Sequence, residues 1–282
     1  MHAWERRYKT ILPARSETGR RSYSAEDVTR LILLKACIDL GYRIGKIADL
    51  HTSELQMMIA KQEAIDRLEP LLCAIDMLDH HELDRILNGQ YLTLGPIAFS
   101  KQVVMPLMHE VGQRWASGAL SIAAEHMVSA SVRTLLGHGM KMLPPGNRSD
   151  HILFTTPEGE LHEIGALIAA LIAQGQGLRT HYLGPQLPIK QIMLAVEKTN
   201  ANIVCLSSLI ARSHKGRPDI LQLRQSLPEA TELWLGGPGY SKIGEIQGLR
   251  YFECMEDFEH ALFEITSKSG AVSRDANSLP NS

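Results

Sequence analysis

The chain has 282 residues, an apolar content of 44 %, a charged content of 21 % and a formal net charge of −2. Those values fit a globular protein of two or three domains at roughly 150 residues each, with no overall polyanion-binding signature. No apolar run reaches the roughly 18 residues of a membrane span, no signal peptide opens the chain, and Cys37, Cys73, Cys205 and Cys254 are too dispersed for a disulfide framework or a C-x-x-C zinc site. The expected setting is a reducing cytoplasm, with all four cysteines as small core residues.

Residues 1–24 depart from the overall balance. Arg6, Arg7, Lys9, Arg15, Arg20 and Arg21 stand against only Glu5 and Glu17. A charge run is often no more than a solvated face. Here it is interleaved with Trp4, Tyr8, Pro13, Gly19 and Tyr23. Ser24-Ala-Glu-Asp27 predicts a helix N-cap with an acid at the third position. An apolar stripe of Val28, Leu31, Ile32 and Leu34 to Cys37 comes next, and Gly41 should stop that helix. Ile44, Ile47 and Leu50 predict a second short helix packed behind it.

The segment Trp4-Glu-Arg-Arg-Tyr8 with Gly19-Arg-Arg-Ser-Tyr23 resembles the MerR-type winged helix-turn-helix. The resemblance implies that Arg6, Arg7 and Tyr8 close a recognition helix, and that Arg15, Arg20 and Arg21 sit on a two-stranded wing that grips phosphates of double-stranded operator DNA. Arginine suits that task because it stays charged and binds phosphate in a bidentate way. The chain begins at Met1, inside what the resemblance makes the recognition helix. The expectation is therefore a module without its first helix and turn, spanning residues 1–55.

Residues 56–147 read as helical throughout, over 54–67, 68–78, 80–90, 96–117 and 121–143. In the fourth helix Val104, Leu107, Met108, Val111 and Trp115 recur three or four apart. Pro106 should kink that helix or mark its true start. The fifth carries Ala123, Ala124, Ser129, Ala130 and Ser131, small residues that let helices approach closely. Trp115 alone reads best as a core aromatic. Together, Trp115 and the later pair Glu125-His126 resemble the helical cap that lies over the corrin ring in B12 proteins. That resemblance implies a four-helix-bundle cap in which Trp115 covers the upper cobalt face, with Glu125 and His126 approaching from the next helix.

Beyond residue 148 the pattern changes to alternating strands (151–156, 178–183, 202–207, 232–236, 250–254) and helices (161–174, 188–199, 217–227, 241–247, 255–267). This predicts a five-stranded α/β domain over 148–267, followed by a tail (268–282) rich in Ser and Asn that should be disordered. His162 falls in the turn between the first strand and its helix. Ser207 and Leu209 come at the end of the third strand, and Gly236-Gly237 at the end of the fourth. All three stretches thus lie at the carboxyl edge of one parallel sheet, where open α/β sheets bind ligands.

A lone histidine near a helix start is usually a surface residue. The ordered set Glu160-x-His162-x-x-Gly165, then Ser207-x-Leu209, then Gly236-Gly237 resembles the cobalamin-binding Rossmann-like (flavodoxin-like) domain. Neutral imidazole suits cobalt, and a carboxylate two residues away can hold its second nitrogen. The resemblance implies that His162 replaces the cofactor's own base below cobalt. Ser207, Leu209 and the two glycines would then line the slot for the freed nucleotide tail.

Taken over nearly the whole chain, the order of modules resembles the light-responsive, B12-dependent MerR-type regulators (the CarH/LitR family), a multidomain α plus α/β architecture. The resemblance implies a non-enzymatic repressor with adenosylcobalamin as ligand and light sensor, acting as a homo-oligomer (dimer or tetramer). The family pattern has a His directly after the cap Trp. Here that position is Ala116, and His126 is the only nearby substitute as an upper ligand after photolysis. Cap and cobalamin domain are also shared with corrinoid methyl carriers of methyltransferase systems, which lack the basic head. A B12-independent regulator is a third possibility, against which His162, Ser207 and Gly236-Gly237 all argue. Nothing is long enough for an isomerase barrel of about 250 residues.

Overall fold

The computed structural model describes the backbone of residues 14–15, 21–210 and 216–275, and side chains over 22–210 and 217–267. The chain divides into two compact units, Met1–Ala74 and Ile75–Ser282.

In the first unit, β1 (Ala14–Arg15) and β2 (Arg21–Ser22) form an antiparallel ladder that pairs Arg15 with Arg21. Helix α1 (Ala25–Asp39) opens on a capping box: the Ser24 hydroxyl accepts from the Asp27 N–H, and the Asp27 carboxylate accepts from the Ser24 N–H. Gly41, at φ +91°, supplies the left-handed exit. Leu34 and Cys37 pack with Ile47 of α2 (Ile44–Ile47) and Leu55 of α3 (Thr52–Asp76). Val28 and Ile32 are exposed, so the buried face is narrower than the expected stripe. The Arg30 guanidinium donates to the carbonyls of Leu50 and Ala48, tying α1 to the turn after α2. Helix α3 runs without a break through the expected boundaries near residues 55 and 67. Pro70 lies inside it, removing one backbone donor without ending the helix.

The second unit begins with α4 (His80–Phe99), capped by Asp79, whose side chain accepts from the Glu82 N–H. Gly95, at φ +73°, kinks it where the sequence predicts a new helix. A π turn over Ser100–Val104 then leads into α5 (Met105–Ala116). The wider turn sits just before Pro106, whose ring would collide with the carbonyl four residues back in an α-helix. Val104, Leu107 and Val111 are buried, as the period predicts. Helix α6 (Ile122–Met142) comes next, capped by Ser121.

The five-stranded sheet has the order β4-β3-β5-β6-β7 and is parallel throughout: β3 (His151–Thr155), β4 (Arg179–Tyr182), β5 (Ile203–Ser207), β6 (Glu232–Gly236) and β7 (Leu249–Phe252). Strand β3 lies between β4 and β5, so the chain reverses direction across the sheet there. The crevice outside the carboxyl ends of β3 and β5 is the switch point at which such sheets take ligands.

On one sheet face, Leu153, Val204, Leu206, Leu233 and Leu235 pack with α8 (Ile189–Thr199) and α9 (Gly216–Ser226). On the other, Phe154 and Trp234 meet Phe258 of α10 (Met255–Asp275) edge to face. Helix α7 (Ile164–Gly175) buries every residue from Ala166 to Ala173. A helix apolar all round must be covered all round. At its carboxyl end, Gln174 donates to the carbonyls of Met140 and Leu143 at the end of α6.

Three expectations need correction. No helix covers 241–247: a 3₁₀ turn at Pro238–Tyr240 takes its place, and Gly244 and Gly248, at φ +72° and +73°, interrupt the segment beyond that turn. Helix α10 runs to Asp275, past its expected end, and residues 276–282 lie outside the described ones. Cys37 and Cys205 are buried, but Cys73 and Cys254 are exposed. No helix among the described residues is long and apolar enough to cross a membrane.

Candidate functional site

The turn after β3 is built to present one imidazole. The Glu160 N–H donates to the Pro157 carbonyl at 3.0 Å, closing a β-turn with Gly159 at φ +79° in its third position. The Thr156 hydroxyl donates to the Glu160 carbonyl at 2.5 Å. These bonds turn the Glu160 side chain inward, where it is fully buried.

One carboxylate then serves two loops. Oε1 accepts from the His162 N–H at 3.0 Å and from ring Nδ1 at 2.6 Å. Oε2 accepts from the Ser208 hydroxyl at 2.8 Å and from the N–H groups of Leu209 and Ile210 at 2.9 and 3.0 Å. Burial alone would raise the Glu160 pKa. The backbone bonds from Ile210 and His162, with the Ser208 hydroxyl and the His162 ring, outweigh it and hold the carboxyl at about 2.

An ionised carboxylate only accepts hydrogen bonds, so the proton of a neutral His162 sits on Nδ1. Nε2 is left with a lone pair, on a side chain that is 48 % exposed. That is the orientation in which a second carboxylate prepares a histidine for a metal. Among the described residues, no group of three or more His, Cys, Asp or Glu could hold a metal ion.

The loop after β5 is held with equal care. The Ser208 N–H donates to the Gly236 carbonyl and the Gly239 N–H donates to the Ser208 carbonyl, so β6 and its turn brace it. A Cβ on Gly237, at φ +93°, would meet the Ser208 carbonyl oxygen at 2.5 Å. Gly237 is therefore required by the protein itself. Gly236 differs: a Cβ there would meet nothing within 4 Å, so open space lies beside it. On Gly165 a Cβ would stand 3.0 Å from the Ser207 hydroxyl. Leu161 and Leu209 are more than half exposed and give the rim an apolar character.

On the helical side, Trp115 ends α5 with 52 % of its surface exposed, so it is not the core aromatic that its spacing alone suggests. Its neighbour Arg114 is fixed by Glu110 at 2.8 Å and Asp76 at 3.1 Å. The Arg114 carbonyl accepts from the N–H groups of Ala119 and Leu120, which sets the turn into α6. On α6, Glu125 accepts from Ser129 at 2.7 Å and pairs with the His126 ring at 2.6 Å. His126 itself is mostly exposed.

Two separate family models, each described as a B12 binding domain, match residues 67–138 and residues 150–263. The MerR HTH family regulatory protein family matches residues 1–54. The HTH-type transcriptional repressor CarH of Myxococcus xanthus is 32 % identical over 274 residues, 92 % of this chain and 91 % of the relative. The chain belongs to this family of B12-binding, MerR-type transcriptional regulators. A second relative, the HTH-type transcriptional repressor CarA of Myxococcus xanthus, is 28 % identical over 91 % of this chain and 88 % of its own. Dimethylamine corrinoid protein 3 of Methanosarcina mazei is 29 % identical over 46 % of this chain and 81 % of its own. The solved monomethylamine corrinoid protein of Methanosarcina barkeri superposes with a TM-score of 0.56 over 69 % of this chain and 96 % of its own, at 14 % identity, a likeness of fold. The corrinoid proteins thus share part of this regulator, while the repressors share nearly all of it.

In this MerR-type B12-binding regulator the structure brings Glu160, His162, Gly165, Ser207, Leu209, Gly236 and Gly237 to one sheet edge, as the sequence predicts. Trp115 stands near the end of α5, and Glu125 and His126 stand near the start of α6. Arg6, Arg7, Tyr8 and Arg20 fall outside the described residues, and Arg15 and Arg21 are register partners on the β1–β2 ladder. Sequence reasoning misses Ser208, whose hydroxyl donates to Glu160, and Gly239, whose N–H donates to the Ser208 carbonyl. Ser208 lies inside the very Ser207-x-Leu209 motif. It also misses Glu163, which is tied to Arg133 and Tyr182.

Proposed function

We propose that this regulator binds adenosylcobalamin with the cofactor's own base displaced and His162 Nε2 as the lower cobalt ligand. The observation that supports this most is the Glu160 carboxylate, which fixes both the tautomer of His162 and the loop from Ser208 to Ile210. The open space beside Gly236 suits the displaced nucleotide tail. Half-exposed Trp115 near the end of α5 and Glu125 near the start of α6 suit the upper face, where they would pack on and hydrogen-bond an adenosyl group.

The cofactor supplies a cobalt–carbon bond that visible light breaks. The protein's part is to hold the two faces together and exclude water. In the dark the loaded chain assembles into a homo-oligomer (dimer or tetramer) that binds operator DNA and represses. On this reading illumination would end DNA binding; Ala116 offers no imidazole after Trp115, and His126, mostly exposed near the start of α6, would be the substitute.

DNA contact falls to Arg6, Arg7 and Tyr8 on the recognition segment and to Arg15, Arg20 and Arg21 on the wing. Arg15 and Arg21 occupy paired register positions on the β1–β2 ladder. The test is an absorbance spectrum of the purified protein with adenosylcobalamin before and after green light, paired with a gel shift on the upstream DNA of neighbouring genes. A light-dependent loss of both the bound spectrum and the shifted band is expected. An unchanged spectrum and band would leave cobalamin without a sensing role.

A further inference from the structure

Glu163 occupies the N-cap position of α7, yet its side chain makes no capping bond. Caps are normally Ser, Thr, Asp or Asn, whose short oxygens reach the first free N–H groups. The Glu163 carboxylate is nearly buried and turned elsewhere. Oε1 meets Arg133 Nε on α6 at 2.5 Å, and Oε2 accepts from the Tyr182 hydroxyl at the end of β4. Burial first, then the Glu163 hydrogen bond and charge, push the Tyr182 pKa well up, so its hydroxyl remains a donor. A partly buried ion pair is weak evidence for a stabilising role, because desolvation offsets its attraction. Its position is more informative. Glu163 directly follows His162, and Arg133 lies on the same face of α6 as Glu125 and Ser129, in steps of four residues. Eight residues of helix separate Glu125 from Arg133, about 12 Å along the axis. One helix face therefore carries an upper-site carboxylate at one end and a tether to the lower-ligand turn at the other.

We propose that Arg133, Glu163 and Tyr182 form a clasp that sets the position of α6 relative to the His162 turn, so that upper pocket and lower ligand are held in one register. They are positioning residues, acting through His162 and Glu125. This rests on the cobalamin reading above. Where α6 shifts against the sheet edge, the clasp must break or carry the His162 turn with it. It thereby couples the state of the upper face to lower ligation.

The test uses the full chain and adenosylcobalamin. Arg133→Met, Glu163→Gln and the double variant are titrated by absorbance, and the bound form is photolysed anaerobically to Co(II) for electron paramagnetic resonance. Each single variant should weaken binding roughly tenfold, at the lower end of what displaced outer-shell partners cost a metal site. Each should also reduce the fraction of Co(II) carrying the axial nitrogen splitting. The double variant should be no weaker than the weaker single, because all three lack one shared interaction. Arg133→Lys should recover part of the loss. Tyr182→Phe removes only a hydroxyl and serves if the others fold poorly. Variants that bind and split like wild type, or single losses that add in the double, overturn the clasp. A wild type without cobalamin binding or axial nitrogen overturns the reading beneath it.

Discussion

Glu160 grips His162 twice through a single oxygen: the backbone N–H and ring Nδ1 both bond to Oε1, at 3.0 and 2.6 Å. The other oxygen faces three donors, from Ser208, Leu209 and Ile210. Only a carboxylate can accept on both sides. An amide at position 160 must turn its NH₂ either toward the loop donors, leaving them unpaired, or toward His162, forcing the proton onto Nε2.

Glu160→Gln should therefore weaken cobalamin binding by roughly 10- to 100-fold, the usual cost of losing an outer-shell partner, and Glu160→Asp should recover part of it. The same charge sets an acid limb in stability. The folded pKa of about 2 lies below the unfolded value, near 4.3. Its contribution, about 2 to 3 kcal/mol, is thus complete above pH ~4.3 and lost as pH falls toward ~2. Unfolding midpoints of the cofactor-free protein, taken against pH, should show wild type losing its advantage over Glu160→Gln in that window. A constant gap between them would mean that the carboxyl is not depressed.

Gly236 and Gly237 are adjacent and should fail in different ways. Gly237→Ala places a Cβ against the Ser208 carbonyl at φ +93° and should destabilise the cofactor-free protein by about 1 to 3 kcal/mol. Gly236→Ala meets only open space, and should leave that stability within about 0.5 kcal/mol while lowering cobalamin affinity. Thermal midpoints and absorbance titrations separate the two. Wild-type affinity in Gly236→Ala would remove the nucleotide slot from this place.

Trp115→Ala should change ligand choice more than stability, because the ring is half exposed. The preference for adenosylcobalamin over methylcobalamin should drop roughly tenfold, about 1.4 kcal/mol. Parallel titrations with the two cobalamins measure it. Equal discrimination by mutant and wild type would show that another surface selects the upper ligand.

On the wing, Arg15→Ala and Arg21→Ala should each weaken operator binding about equally on different sequences. Each should also flatten the log–log salt dependence by roughly 0.9 for every phosphate that the variant no longer neutralises. Gel shifts at several salt concentrations read both quantities. Weaker binding with an unchanged salt slope would argue for a structural role in the β1–β2 ladder instead.

Much of this was legible in the sequence for a physical reason. In a parallel sheet every strand points the same way, so residues just past strand ends are delivered to one edge, and Glu160 to Gly165, Ser207 to Leu209 and Gly236-Gly237 could be placed together from spacing alone. The capping box at Ser24 and the stop at Gly41 are local chemistry and read as directly. The clasp was not legible, because Arg133, Glu163 and Tyr182 come from a helix, a turn and a strand with no shared period. Ser208 was hidden because the motif directs attention to its neighbours. The expected helix over 241–247 fails because Gly244, in its middle, takes a left-handed conformation.

The central claim is that the lower cobalt ligand is His162, and one measurement addresses it most directly. The protein is produced with ¹⁵N-labelled histidine, loaded with unlabelled adenosylcobalamin in the dark, and photolysed anaerobically to Co(II). The electron paramagnetic resonance spectrum then reports the axial nitrogen. Ligation by a protein histidine predicts that each cobalt line splits into a doublet in labelled protein and a triplet in unlabelled protein, with the doublet lost in labelled His162→Ala. A triplet that persists in the labelled protein would mean that the cofactor keeps its own base, and would contradict the account.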